Sequence, residues 1–140
     1  MKIAKEFTWE MGHRLSFHKG KCKNLHGHSY KCMIELTGDP DANGMVMDYF
    51  DMKTIIEPIL DNFDHTFMVY KNDYEVIEAL EKLNSQKVVV DFETTAENIC
   101  LYILKQIKSS DLPKNVQFVK VRVLETDNSY AEVESNLYSD

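Results

Sequence analysis

The chain has 140 residues, of which 44% are hydrophobic and 28% charged, a globular composition that excludes a disordered chain. Sixteen Lys and Arg against 23 Asp and Glu give a net charge of −7, so non-specific binding to nucleic-acid phosphates is not expected. Three widely spaced cysteines (Cys22, Cys32, Cys100) make no disulfide framework and fit reduced thiols in a cytoplasmic protein. The N-terminus lacks the apolar stretch of a signal peptide, and no run approaches the roughly 18 apolar residues of a membrane span. With no repeat or linker, residues 1–140 are expected to form one domain.

Residues 3–13 alternate, with Ile3, Phe7, Trp9, Met11 and His13 on one face, and read as a half-buried strand. Residues 26–36 alternate likewise, with His26, His28, Tyr30, Cys32, Ile34 and Leu36 together. The two predict an antiparallel hairpin with a long polar connection, Arg14 to Leu25. The Gly38–Gly44 stretch is turn chemistry. A helix follows on the stripe Met52, Ile55, Ile56, Ile59, Leu60 and Phe63, distorted at Pro58. Tyr74–Leu83 predicts a shorter helix and Val88–Val90 a short extended run. Thr94-Thr-Ala-Glu97 has the form of a capping box and opens a helix with the stripe Ala96, Ile99, Cys100, Ile103 and Ile107. Val119, Val121, Val123 and Glu125 then share a strand face, and Tyr130–Glu134 closes a last hairpin. The order predicts an α+β fold, an antiparallel sheet with helices packed on one face.

Four of the five histidines lie between positions 13 and 28. On a strand, His26 and His28 point the same way, with Cβ atoms roughly 6.5–7 Å apart. If the first two strands pair, His13 joins them. Three imidazoles leave one coordination position open, the pattern of a catalytic zinc site; the plainer alternative is that His26 and His28 are polar strand-end residues. Cys22 reads equally as a surface thiol or as a functional group, activated by Lys19, Lys21 and Lys23. Asp64-His65 suits acid/base work, although such a dipeptide also fits a solvent-exposed helix end. Glu125 ends an apolar face, where a carboxylate is hydrogen-bonded or functional. The capping box gives Glu97 a structural role. Arg14, Lys19, Lys21 and Lys23 form a local basic run that is either a solvated loop or a site for a phosphorylated substrate. Cys32 and Cys100 read as core thiols. His18 has no assigned role.

His13, Cys22-x-x-x-His26-Gly-His28, Asp64-His65, Thr95-x-Glu97 and Leu124-Glu125-Thr126 stand in the order seen in the 6-pyruvoyl-tetrahydropterin synthase family, which the chain resembles from Phe7 to Glu125. The three-residue spacer between Cys22 and His26 is similar to the bacterial branch, the 6-carboxy-5,6,7,8-tetrahydropterin synthases of queuosine (7-deazaguanine) biosynthesis; the biopterin-making branch usually has five. The resemblance implies the tunnelling fold, a four-stranded antiparallel sheet with helices on one side, assembled as a homohexamer of two stacked trimers. It implies that His13, His26 and His28 hold Zn2+, that Cys22 is base or nucleophile, and that Asp64 and His65 are acid/base partners supplied across a subunit boundary. It further implies that Glu125 anchors the pterin ring, with Thr95 and Glu97 near that pocket. The implied lyase reaction turns 7,8-dihydroneopterin triphosphate into 6-carboxy-5,6,7,8-tetrahydropterin, releasing acetaldehyde and triphosphate, with no nucleic acid or membrane as partner. The alternatives are a 6-pyruvoyl-tetrahydropterin synthase and a non-catalytic pterin- or metal-binding module. The chain departs from the family at Trp9-Glu-Met-Gly-His13, where Phe-x-Ala-Ala-His is frequent, at Phe63, where Leu is common, and at Thr94, where many bacterial members have Pro. Tyr70–Val90 carries extra helix-forming sequence with no assigned role.

Overall fold

The computed structural model describes residues 1–138. Six strands form one mixed sheet: β1 (Lys2–His13), β2 (His26–Gly38), β3 (Thr66–Tyr70), β4 (Lys87–Val90), β5 (Val116–Thr126) and β6 (Ser129–Asn136), in spatial order β4-β3-β1-β2-β5-β6. Three helices accompany them: α1 (Tyr49–Asp61), α2 (Tyr74–Lys82) and α3 (Ala96–Lys108). The α+β class is as expected, but the sheet is not four-stranded. The expected antiparallel ladder is present as β1, β2, β5 and β6. β3 and β4 extend it in parallel beyond β1, through pairs such as Gly12–Phe67 and Met68–Val88. Parallel neighbours cannot be joined by a tight turn, and α2 makes the crossover between them. The Tyr70–Val90 stretch thus supplies the helix and second strand of a β-α-β unit that β3 begins.

The crossover also corrects the expectation that all helices share one face. The main core lies between the sheet and α1 and α3, where Trp9, Tyr30, Ile34, Met52, Ile56, Ile103, Val121 and Val123 are buried. In β3, Met68 points into that core, while Val69, flanked by Phe67, packs against Val76, Leu80 and Ile77 of α2 on the opposite face. A Cβ placed on Gly12 would come within 2.8 Å of the Phe67 ring, so the ring lies over β1 on that second side.

Local chemistry sets the helix ends. Asp48 caps α1 by accepting from the Phe50 amide at 2.7 Å. α1 runs on through Pro58 to Asp61. The carbonyl that Pro58 leaves unpaired belongs to Thr54, which is exposed, so water can satisfy it. Asn84, at φ 52°, ends α2 in the left-handed conformation usual for Gly or Asn at that position. α3 is capped by Thr95, whose hydroxyl accepts from the Asn98 amide at 3.2 Å. The capping box beginning at Thr94 is therefore not formed. The frame moves by one residue, and Glu97 is released from the structural role the box would give it. No helix among the described residues is long and apolar enough to cross a membrane.

Candidate metal centre and active site

β1 and β2 end together, with His13 directly opposite His26 and His28 opposite Met11. Alternation puts the three rings on the core face, their centroids 4.7, 5.2 and 4.9 Å apart. One nitrogen from each lies within 4.8 Å of the others. His13 is 1% exposed, and its Nδ1 is 2.7 Å from the Thr94 carbonyl oxygen. A carbonyl only accepts, so Nδ1 carries the proton and Nε2 keeps its lone pair. His26 Nδ1 donates in the same way to the Asn24 carbonyl at 2.7 Å. Nε2 of His13 and of His28 are buried without a hydrogen-bond partner among the described residues.

Unpaired buried polar atoms are costly. Two of them facing a third imidazole fit a divalent metal that prefers nitrogen. Burial, opposed by the Thr94 carbonyl and assisted by the His26 and His28 charges, lowers His13 to about 4. Burial, and then His26, lowers His28 as well. At neutral pH both are in the uncharged form that metal binding needs.

Glu125 reaches in from β5, with Oε1 3.7 Å from His13 Nε2 and Oε2 3.9 Å from His28 Nε2. Tyr30, fully buried and stacked on Trp9 with ring centroids 4.9 Å apart, donates its hydroxyl to Glu125 at 3.5 Å. Burial pushes the Glu125 carboxyl up; His26 opposes this, Glu97 adds to it, and the Tyr30 hydroxyl opposes it again. Glu125 and Glu97 both line a cleft of about 370 Å³ with Ser129, Tyr130 and Ala131. A carboxylate there can accept two hydrogen bonds side by side from a planar amino-heterocycle. Thr95 stands next to this wall, but its hydroxyl is engaged in the α3 cap.

Cys22 lies half-buried in a single 3-10 turn, Lys21–Lys23, tied back where the Leu15 amide donates to the Cys22 carbonyl at 2.8 Å. Its sulfur is not part of the metal-capable cluster. Lys19, Lys21 and Lys23 are exposed around it. Arg14 does not belong with them, because its guanidinium is held by both Asp73 oxygens at 2.7 and 2.6 Å. His18 has a local job, accepting from the Gly20 amide at 2.9 Å.

Asp64 and His65 sit at the β1 edge. The Glu10 amide donates to Asp64 Oδ1 at 2.8 Å, and the His65 amide to the Glu10 carbonyl at 2.7 Å. The two side chains are 3.0 Å apart, and the His65 ring is 77% exposed on a backbone at φ 60°. The Glu10 amide first, and then His65, hold the Asp64 carboxyl below its ordinary value. His65 helps line a concavity with Glu10, Met11, Gly12, Gly27, His28 and Ser29. One chain therefore brings together His13, His26, His28, Glu125 and Glu97, and leaves Asp64 and His65 outside both the histidine cluster and the cleft that Glu125 and Glu97 line. Cys32 and Cys100 are buried core thiols, as expected, and burial raises both, Cys100 to about 11.

Sequence reasoning missed Thr94 as the partner of His13, Tyr30 as the partner of Glu125, and Asp73 as the partner of Arg14. Each pairing spans 59 to 95 residues and has no local signature.

The model of the family described as 6-pyruvoyl tetrahydropterin synthase matches residues 2–136. A Haemophilus influenzae protein named 6-carboxy-5,6,7,8-tetrahydropterin synthase is 39% identical over 139 residues, covering 94% of this chain and 96% of the relative. An Aquifex aeolicus protein of the same name is 32% identical over 157 residues, with 94% and 96% covered. Among solved structures, the 6-pyruvoyltetrahydropterin synthase of Plasmodium vivax superposes with a TM-score of 0.78 at 25% identity, over 97% of this chain and 98% of that one. Motif order, the histidine geometry and a match along nearly the whole length agree, and the chain belongs to the 6-pyruvoyl tetrahydropterin synthase family.

Proposed function

We propose that this chain is a zinc-dependent lyase that converts 7,8-dihydroneopterin triphosphate and one water into 6-carboxy-5,6,7,8-tetrahydropterin, acetaldehyde and triphosphate, a step of queuosine biosynthesis in the cytoplasm. The observation that carries it is the trio of His13, His26 and His28, with two orphaned Nε2 atoms, beside a carboxylate-lined cleft. Relatives at 39% and 32% identity bear the name of that activity. Zinc held by the three histidines supplies Lewis-acid polarisation of the substrate's side-chain oxygens.

The chain's own residues do the rest. Glu125 accepts from the amino-pyrimidine edge of the pterin, and Glu97 lines the same wall. Cys22 takes a carbon-bound proton. His65, oriented by Asp64, returns and relays protons as triphosphate leaves. Lys19, Lys21 and Lys23 offer charge to the triphosphate. Asp64 and His65 lie outside the cleft that Glu125 and Glu97 line, which supports a site completed by the dyad of a neighbouring subunit in a homohexamer, a dimer of trimers. Replacement of Cys22 or His65 by Ala is the direct test: each variant should lose turnover, and wild-type-like turnover in both overturns the assignment.

The second reading is a 6-pyruvoyl-tetrahydropterin synthase, whose product would retain all the carbons of the side chain and consume no water. The three-residue spacer between Cys22 and His26 favours the carboxy product. A non-catalytic pterin- or metal-binding module would be expected to have lost part of the acid/base set, and Cys22, Asp64 and His65 are all present.

A further inference from the structure

We propose that Thr94 is a positioning residue for the metal centre, holding His13 in the tautomer and place that turn its Nε2 toward His26 and His28. The inference rests on the reading of those histidines as metal ligands. Thr94 is 1% exposed and lies between β4 and α3, 81 residues along the chain from His13. Its carbonyl oxygen is 2.7 Å and its hydroxyl oxygen 3.2 Å from the same atom, His13 Nδ1. The hydroxyl has a single proton, and it donates that proton to the Arg14 carbonyl at 3.2 Å. Toward His13 it can therefore only accept. Both Thr94 oxygens are acceptors for one N–H, and a bare Nδ1 would set its lone pair against theirs. The opposite tautomer is disfavoured twice, and Nε2 is kept free for a metal.

The donation to Arg14 fixes position as well as protonation. Arg14 follows His13 directly, and its guanidinium is gripped bidentately by Asp73, whose side chain is 7% exposed. The end of β1 is thus held by Thr94 after β4 and by Asp73 just before α2. The β3-α2-β4 unit, which the reaction itself does not use, carries the Asp73 anchor and leads directly into Thr94. The observed α3 cap completes the picture, because Thr95 caps the helix and Thr94 is free to turn inward.

The test compares wild type, Thr94→Val and Thr94→Ser. Val keeps the shape of Thr and removes the hydroxyl, while Ser keeps the hydroxyl. Two readouts are needed: the Kd for Zn2+ by chelator competition, and the ring-nitrogen 15N spectrum of the metal-free protein at pH 8, which tells a protonated Nδ1 from a protonated Nε2. The wild type should show His13 protonated at Nδ1. Thr94→Val keeps the carbonyl acceptor and removes only the hydroxyl with its tie to Arg14, so it should weaken Zn2+ about three- to tenfold, the worth of one hydrogen bond, and Thr94→Ser should restore it. A Thr94→Val protein with a lower Tm but a Kd within twofold of wild type overturns the proposal, and so does a wild-type His13 protonated at Nε2. If Thr94→Val fails to fold, Thr94→Ala and the wild-type spectrum decide. Wild-type protein that takes up no Zn2+ refutes the metal reading separately, and the tautomer in the same sample still decides whether Thr94 sets His13.

Discussion

Acidification should destabilise the metal-free protein through His13 in particular. Burial lowers this histidine from an ordinary 6.5 to about 4 in the folded state. The unfolded chain therefore binds a proton that the folded chain refuses between those two values. The contribution to stability is fully present above pH 6.5 and is lost as pH falls toward 4. One pH unit of differential protonation is worth about 1.4 kcal/mol, so by pH 4.5 the loss is about 2.5 kcal/mol. The ring is 1% exposed, so solvent screening removes little of this. The assay is urea unfolding of chelator-treated wild type and His13→Gln at pH 7.5, 6.0 and 4.5. The His28 shift acts in the same direction and that of Glu125 in the opposite one, and both persist in the variant, so the difference between the proteins isolates His13. Wild type should lose about 2.5 kcal/mol more than His13→Gln over that range. Equal losses would refute the claim that His13 is held neutral by burial.

Three further outcomes are expected. If the site is shared between chains, co-assembly of inactive Cys22→Ala and His65→Ala proteins in equal amounts should recover about a quarter of wild-type activity by random mixing, and no recovery argues for a site within one chain. Lys21→Ala or Lys23→Ala should raise KM several-fold with little change in kcat, and an unchanged KM leaves the loop without a role in binding triphosphate. Gly38→Ala should cost about 1–3 kcal/mol in chemical unfolding, because the new Cβ would collide with the Asn115 carbonyl, where β2 meets β5; a neutral result would mean that the β2–β5 junction yields freely.

What could be read in the sequence follows from how each element is buried. β1 and β2 are covered on one face, so their alternation is plain, and it placed His13, His26 and His28 on a common side. β3 is packed on both faces, by the main core through Met68 and by α2 through Val69, so Thr66–Tyr70 shows no alternation and nothing local signals its parallel crossover. Lys5 falls on the apolar side of β1, and its ammonium extends over the Phe7 ring at 5.9 Å, which keeps the pattern intact. The two adjacent threonines are equally able to cap a helix. His13 and Arg14, which are distant in sequence, draw Thr94 inward and leave the cap to Thr95. Local patterns thus found the ligands, while the groups that orient them depend on long-range contacts.

The metal centre, the cleft and the acid/base residues all serve one proposed reaction. Its most direct test is mass spectrometry of the products formed from 7,8-dihydroneopterin triphosphate by the wild-type protein reconstituted with Zn2+. The expected products are 6-carboxy-5,6,7,8-tetrahydropterin, acetaldehyde and triphosphate. A 6-pyruvoyl product without acetaldehyde, or an unconsumed substrate, would contradict that reaction.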